Sequence, residues 1–181
     1  MCVADRWGNV IAATPSGLGS TAGPAGNTGI IHGTRLTSLN TWKGHPNCIA
    51  PGKRPRVTLT PTLVLKDGMP VVAIAVAGGD LQDQAALQLV LDHIDFGMGA
   101  EEAMAAPRFA TGHHTGSFGQ DKPRLGSLQV NVKISEPVRE DLKHRGHDLA
   151  TTEGSIGGAA MLVIGPARVV HGVGPAAGKV D

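Results

Sequence analysis

Two adjacent glycines at the end of an apolar run can present two backbone N–H groups to a single oxygen atom. Val76-Ala77-Gly78-Gly79-Asp80 has this form, with β-type residues leading in and a helical pattern following. Such a pair can act as an oxyanion hole, the start of the helix adding favourable potential. It can equally be a tight strand-to-helix turn, and the residues alone allow both. Other chemistries fail on spacing. Gly17-Leu18-Gly19-Ser20-Thr21-Ala22-Gly23 has the glycines of a phosphate loop, but no Gly-Lys-Ser/Thr follows and no helical pattern opens behind it. His113-His114, and His144 with His147, lack a third ligand at a usual spacing and read as exposed loop and helix-end histidines. Pro51-Gly52-Lys53-Arg54-Pro55-Arg56 reads as a rigid connector whose charges are solvated. No Ser-His-Asp set emerges, and neither a metal nor a cofactor is expected.

The elements that must hold the glycine pair follow from local pattern. Residues 1–4 and 10–13 are short β-like runs around the turn-forming Asp5-Arg6-Trp7-Gly8-Asn9. Residues 62–65 and 71–77 repeat the arrangement around Lys66-Asp67-Gly68, and residues 161–164 and 169–172 do so around Gly165-Pro166. Over residues 82–96, Leu87, Val90, Leu91 and Ile94 recur at helical spacing and Gly97 stands where a C-terminal cap belongs. A shorter helix is expected over 100–106, stopped by Pro107, and a third from Ser135 to Gly146 with Glu136 and Pro137 in its first turn. Strands, then helices, then strands again suit a layered α+β domain better than a βαβ nucleotide-binding fold. Glycine-rich residues 17–33 are long enough to loop over a site.

Composition narrows the class. With 181 residues, 41% hydrophobic and 17% charged, a single domain over residues 1–181 with a real core is expected. A formal net charge of +1 with three Phe and two Trp offers no basic stripe or stacking platform, so no nucleic acid partner is expected. No apolar run approaches the roughly 20 residues of a membrane helix, and no basic-then-apolar leader opens the sequence. Cys2 and Cys48 are too few for a disulfide framework, which favours a reducing, cytoplasmic location. The 26 glycines and absence of Tyr imply many tight turns.

Taken together, several blocks resemble the small subunit of the gamma-glutamyltranspeptidase family. They are Val3-Ala4-Asp5-Arg6-Trp7-Gly8-Asn9, Ala13-Thr14-Pro15-Ser16-Gly17, Gly44-His45-Pro46-Asn47, Pro51-Gly52-Lys53-Arg54-Pro55-Arg56, Leu59-Thr60-Pro61-Thr62, Gly78-Gly79-Asp80 and Ala106-Pro107-Arg108-Phe109, in order; beyond Gly112 the match is loose. The resemblance implies an α+β fold, a four-layer αββα sandwich of the N-terminal-nucleophile (Ntn) hydrolases, of which this chain would supply the small-subunit half. It also implies a self-cleaved precursor, a large N-terminal subunit as partner, and a freed N-terminal threonine that attacks an amide with its own α-amine as base. That threonine would lie about three positions ahead of Met1, so Met1 is not catalytic, and the chain is either trimmed or inactive. By the same resemblance Ser16 hydrogen-bonds the nucleophile's amine, and Gly78 and Gly79 form the oxyanion hole.

The departure from the family is as informative. Where transpeptidases place acidic residues for the glutamyl α-amine, this sequence runs Gly33-Thr34-Arg35-Leu36-Thr37-Ser38. Nothing there neutralises an ammonium, whereas Arg35 offers a planar fork for a carboxylate, with a salt bridge at the core edge as its other reading. Arg35, Thr14 and Asp80 are therefore the expected substrate-binding residues. A small amide bearing an acid is the expected substrate, and the branch hydrolysing oxamate to oxalate and ammonia in purine-nitrogen salvage is similar through Ala13-Thr14-Pro15-Ser16, His32-Gly33-Thr34-Arg35 and Gly78-Gly79-Asp80-Leu81-Gln82-Asp83-Gln84. Glutamyl transfer or glutathione hydrolysis, cephalosporin-type acylase activity, and a non-catalytic member remain the alternatives.

Overall fold

A computed structural model describes residues 1–16, 23–33, 35–165 and 170–174. The glycine run over 17–22 and Thr34 lie outside the described residues, as do residues 166–169 of the third expected hairpin.

The chain opens with a two-stranded ribbon, β1 (Cys2–Ala4) and β2 (Val10–Ala12), in antiparallel register Cys2↔Ala12, Val3↔Ile11 and Ala4↔Val10. Its turn is fastened by Asp5, whose Oδ1 accepts the N–H groups of Trp7 and Asn9, both at 2.9 Å, a short polar side chain mimicking backbone. Next comes the hairpin of β3 (Thr62–Lys66) and β4 (Met69–Ala77). Asp67 and Gly68 both take positive φ, at 52° and 77°, the requirement of a two-residue type I′ turn. β8 (Gly158–Ile164) and β9 (Val170–Val173) complete an antiparallel sheet in the order β3-β4-β8-β9.

β4 is the spine of the core. Val72, Ile74 and Val76 pack with Ala85, Ala86 and Leu89 of helix α1 (Gln82–Ile94), Ala103 of helix α2 (Ala100–Ala105), and Ala159 and Met161 of β8. Successive strand residues point to opposite faces. Ala73 and Ala75, both buried, therefore lie on the other face, against which the ribbon packs. The ribbon turns Val3 and Ile11 outward, where they pair with one another at 52% and 55% exposure. The layers are thus helices, sheet and ribbon.

A second sheet holds β5 (Phe109–Gly112), β6 (Arg124–Asn131) and β7 (Asp148–Thr152) in that order. β6 and β7 run parallel and are joined through helix α3 (Glu136–His144), which Ser135 precedes and Gly146 follows at φ 93°. β5 is an edge strand whose open side is closed by a helix. Gln84 accepts Thr111 N–H at 2.7 Å and donates to Thr111 O at 3.0 Å, and Gln88 does the same with Phe109 at 3.0 and 2.8 Å.

The first two expected hairpins, the described strands of the third and the three expected helices stand where local pattern placed them, with two differences. Strands β5, β6 and β7, and with them the parallel pairing across α3, were not read from the sequence, because their residues alternate weakly. The buried face of α1 takes in only part of the apolar set read from the sequence: Val90 packs against the core, Leu87, Leu91 and Ile94 are exposed, and Gln82, Ala85, Ala86 and Leu89 are buried. Both sets have helical spacing, and the alanine face wins because small side chains let the helix sit close on β4.

Candidate active site

β4 delivers the chain to Gly78 and Gly79, whose φ angles of 142° and 60° are open to glycine and strained for other residues. A 3-10 turn over Gly79–Leu81 follows and leads into α1. Gly79 and Asp80 open this turn, and the first N–H groups of such a turn have no partner within it. The floor of the turn is Gly157: a Cβ there would stand 2.9 Å from Ala85 Cβ and 3.1 Å from Val76 Cγ1, and a Cβ on Gly78 would lie 3.6 Å from Gly157 Cα. Its roof is Phe118, with Cε2 at 3.4 Å from a Cβ built on Gly79.

Phe118 also meets Arg35, whose guanidinium carbon is 5.1 Å from the ring centroid, within cation–π range. Arg35 opens a 3-10 turn over Arg35–Ser38 and is half-buried. Its Nη2 donates to Ser16 Oγ and its Nη1 to Thr58 Oγ1 at 3.4 Å, while its Nε is buried without a partner among the described residues. The ion pairs among the described residues are Arg56–Asp80, Lys143–Glu140 and Arg145–Asp141, and none involves Arg35. The hydroxyl of Thr14, two residues before Ser16, is likewise buried and unpartnered among them.

Asp80 faces the loop that carries Phe118. Its Oδ2 accepts Ser117 N–H at 2.8 Å and its Oδ1 accepts the Ser117 hydroxyl, with Arg56 Nη2 at 3.7 Å. Burial pushes the Asp80 carboxyl up, but the two Ser117 hydrogen bonds, with His114 and Arg56 nearby, hold it below the ordinary value. The same loop is tied back to the Arg35 turn through Gln120, which donates to Ser38 O at 3.3 Å and accepts from Asn40 Nδ2 at 3.2 Å. A cavity of about 410 Å³ opens beyond Arg56, lined by His45, Pro46, Asn47, Thr115 and Gln120. The chemistry-bearing groups are not among its lining; they gather where the glycine turn, Phe118 and Arg35 meet.

Ser16, Arg35, Gly79 and Asp80 are thus brought together, with Thr14 and Gly78 adjacent in the chain. Sequence reading missed Thr58, Ser117 and Phe118. Phe118 alone had a signal, as one of three phenylalanines in a sequence without tyrosine. Among the described residues no group of three or more His, Cys, Asp or Glu stands together. No helix among them is long and apolar enough to cross a membrane.

An α+β chain with a glycine turn at the end of its central strand and an N-terminal ribbon laid over the same sheet has the architecture of an Ntn hydrolase. The family model described as Gamma-glutamyltranspeptidase matches residues 1–178, and the chain belongs to that family. Among its relatives, the glutathione hydrolase proenzyme of Bacillus subtilis subsp. natto is 31% identical over 164 residues, 90% of this chain and 26% of that protein. The oxamate amidohydrolase proenzyme of Klebsiella pneumoniae is 30% identical over 150 residues, 81% of this chain and 27% of that protein. A solved structure of a Helicobacter pylori gamma-glutamyltranspeptidase variant shares the fold with TM-score 0.77 at 24% identity, over 96% of both chains. The chain spans about a quarter of the length of these curated relatives.

Proposed function

We propose that the chain is the small-subunit part of an amide hydrolase that cleaves a small amide bearing a carboxylate, with oxamate, giving oxalate and ammonia, as the type substrate. The observation that carries this reading is Arg35: a half-buried guanidinium paired with two hydroxyls and a ring, and with no carboxylate among the described residues. A guanidinium partly removed from water without a counterion is poised to accept one, and its unspent Nε adds a donor.

On this reading a threonine hydroxyl from just ahead of Met1 attacks the amide carbon, its proton passing to the threonine α-amine. The developing oxyanion is received by the Gly78 and Gly79 N–H groups. The C–N bond breaks, the nitrogen leaves as ammonia with the proton returned by the amine, and water then cleaves the acyl-threonine ester. Ser16 accepts from Arg35 through one lone pair of its oxygen and has a second to accept an N–H of the nucleophile's amine, leaving that amine's own lone pair for the threonine proton and linking acid receptor to nucleophile. Asp80 acts on substrate through the Ser117–Phe118 loop it fastens. A large subunit from the same precursor covers the outward Val3–Ile11 face.

A second reading, glutathione hydrolysis, is favoured by relatives of that name, and acylase proenzymes of Pseudomonas are also among them. It requires a carboxylate for the glutamyl α-ammonium, and Asp80 already accepts one Ser117 hydrogen bond on each oxygen and has Arg56 as its cation. The deciding measurement is kcat/KM of the processed enzyme on oxamate and on a gamma-glutamyl anilide. Arg35→Lys should raise KM for oxamate, and Arg35→Ala should raise it at least about tenfold, since charge-assisted bonds are worth roughly 1.5–3 kcal/mol each. Rapid glutamyl transfer indifferent to Arg35→Ala would return the protein to the transpeptidases, and a preparation whose N-terminal residue is never threonine would make it a non-catalytic member.

A further inference from the structure

Gln82, the first residue of α1, is only 4% exposed. A primary amide at such a position must find hydrogen-bond partners, and the atoms facing its end are carbonyl oxygens, so its nitrogen is the atom turned toward them. In that orientation it donates to Thr58 O at 2.8 Å and to Val76 O at 2.9 Å. These carbonyls belong to two segments that reach the site from different parts of the chain. Thr58 carries the hydroxyl that accepts from Arg35 Nη1. Val76 stands two residues before Gly78, next to last in β4. Thr58 precedes β3, which begins at Thr62, so no strand ladder holds it against β4.

We infer that Gln82 is a positioning residue that sets the spacing between the acid receptor, Arg35 with Thr58, and the oxyanion turn, Gly78 with Gly79, and so selects the length of the acid amide accepted. This rests on the site reading proposed above. One rigid, buried side chain bridges the two places where a substrate's carboxylate and scissile carbonyl would be held. A fixed span accepts an acid whose carboxylate and amide carbons are directly bonded, and rejects its homologue one methylene longer. Loosening the span costs both alignment of the carbonyl, read in kcat, and grip on the acid, read in KM.

The test uses the processed enzyme with Gln82→Met, which keeps chain length and loses both donors, Gln82→Glu, and Arg35→Lys, alone and combined with Gln82→Met. Gln82→Met should lower kcat and raise KM for oxamate by about tenfold each, and narrow the preference for oxamate over malonamate, its one-methylene homologue, by at least about threefold. A merely structural role would lower the melting temperature without moving that preference. Combined with Arg35→Lys, the effect on KM should be smaller than the product of the single effects, because both act on one receptor. Gln82→Glu should be active only while its carboxyl is protonated and can still donate, so its activity falls as pH rises relative to wild type. Unchanged kcat, KM and preference in Gln82→Met, with Arg35→Lys still raising KM, would overturn the role of Gln82 and leave the site reading standing. An indifferent Arg35→Lys would instead remove the site reading and this inference with it. Should Gln82→Met fail to fold, a pH profile of Gln82→Glu parallel to wild type overturns the inference.

Discussion

Gly79→Ala and Gly157→Ala place the same methyl group at two neighbouring glycines that both take positive φ, 60° and 76°. The left-handed conformation costs an L residue about 1–2 kcal/mol at either position. The surroundings differ. At Gly79 the nearest neighbour is Phe118 Cε2 at 3.4 Å, an ordinary contact with a partly exposed ring, so the stability cost should stay near that backbone term. At Gly157 the new Cβ meets Ala85 Cβ at 2.9 Å and Val76 Cγ1 at 3.1 Å, both in the core, and overpacking adds about 1–3 kcal/mol. Activity should order the other way per unit of stability lost. Alanine keeps the N–H, but its Cβ obstructs the oxygen's approach and its strained φ turns the donor away, so Gly79→Ala should reduce kcat by about a hundredfold or more, the scale for losing an oxyanion donor. The assay is kcat of processed enzyme, normalised to titrated active sites, beside thermal melts of both variants. Near-wild-type turnover in Gly79→Ala would refute the oxyanion assignment. A Gly157→Ala melt no lower than that of Gly79→Ala would refute the tight floor beneath it.

Two further outcomes follow from the geometry. Because the Asp80 carboxyl is held below its ordinary value in the folded protein, the unfolded chain takes up a proton first on acidification. Its contribution to stability is therefore complete above the ordinary carboxylate range and lost as pH falls through the lowered folded value; Asp80→Asn should flatten that part of a melting-temperature profile, and an unchanged acid limb would dismiss the role. Expressed without a partner, the chain should be poorly soluble through the outward Val3–Ile11 face, and Ile11→Lys should raise its soluble yield while hindering subunit assembly, read by co-purification; undiminished assembly would show that this face is not covered by the partner.

What was legible in the sequence is what neighbouring residues decide. Asp67-Gly68 specifies its turn by backbone freedom alone, Gly97 and Pro107 stop helices wherever the rest of the chain goes, and Gly78-Gly79 marks a turn between an apolar run and a helical pattern. The site's second half was legible only in part. Arg35 stood out by chemistry, but Ser16 and Thr58, 19 and 23 positions away, become its partners only through tertiary packing. Asp80 looked open to substrate because Ser117, which occupies it, lies 37 positions on in a loop with no pattern of its own. The face of α1 was misjudged in part for a related reason: hydrophobicity ranks leucine above alanine, while close approach to β4 favours alanine.

The pairing of Gln84 and Gln88 with Thr111 and Phe109 decides where the molecule can grow. Residues four apart on a helix advance about 6.0 Å, and alternate residues of an antiparallel strand about 6.8 Å, so two rungs match and a third would drift out of reach. Two side-chain amides thereby occupy the backbone donors and acceptors that an added strand would need. The β5 side is a closed border, protected from uncontrolled strand addition. Among the described strands β3, β7 and β9 are the other sheet edges, so a strand added by another polypeptide is directed away from β5.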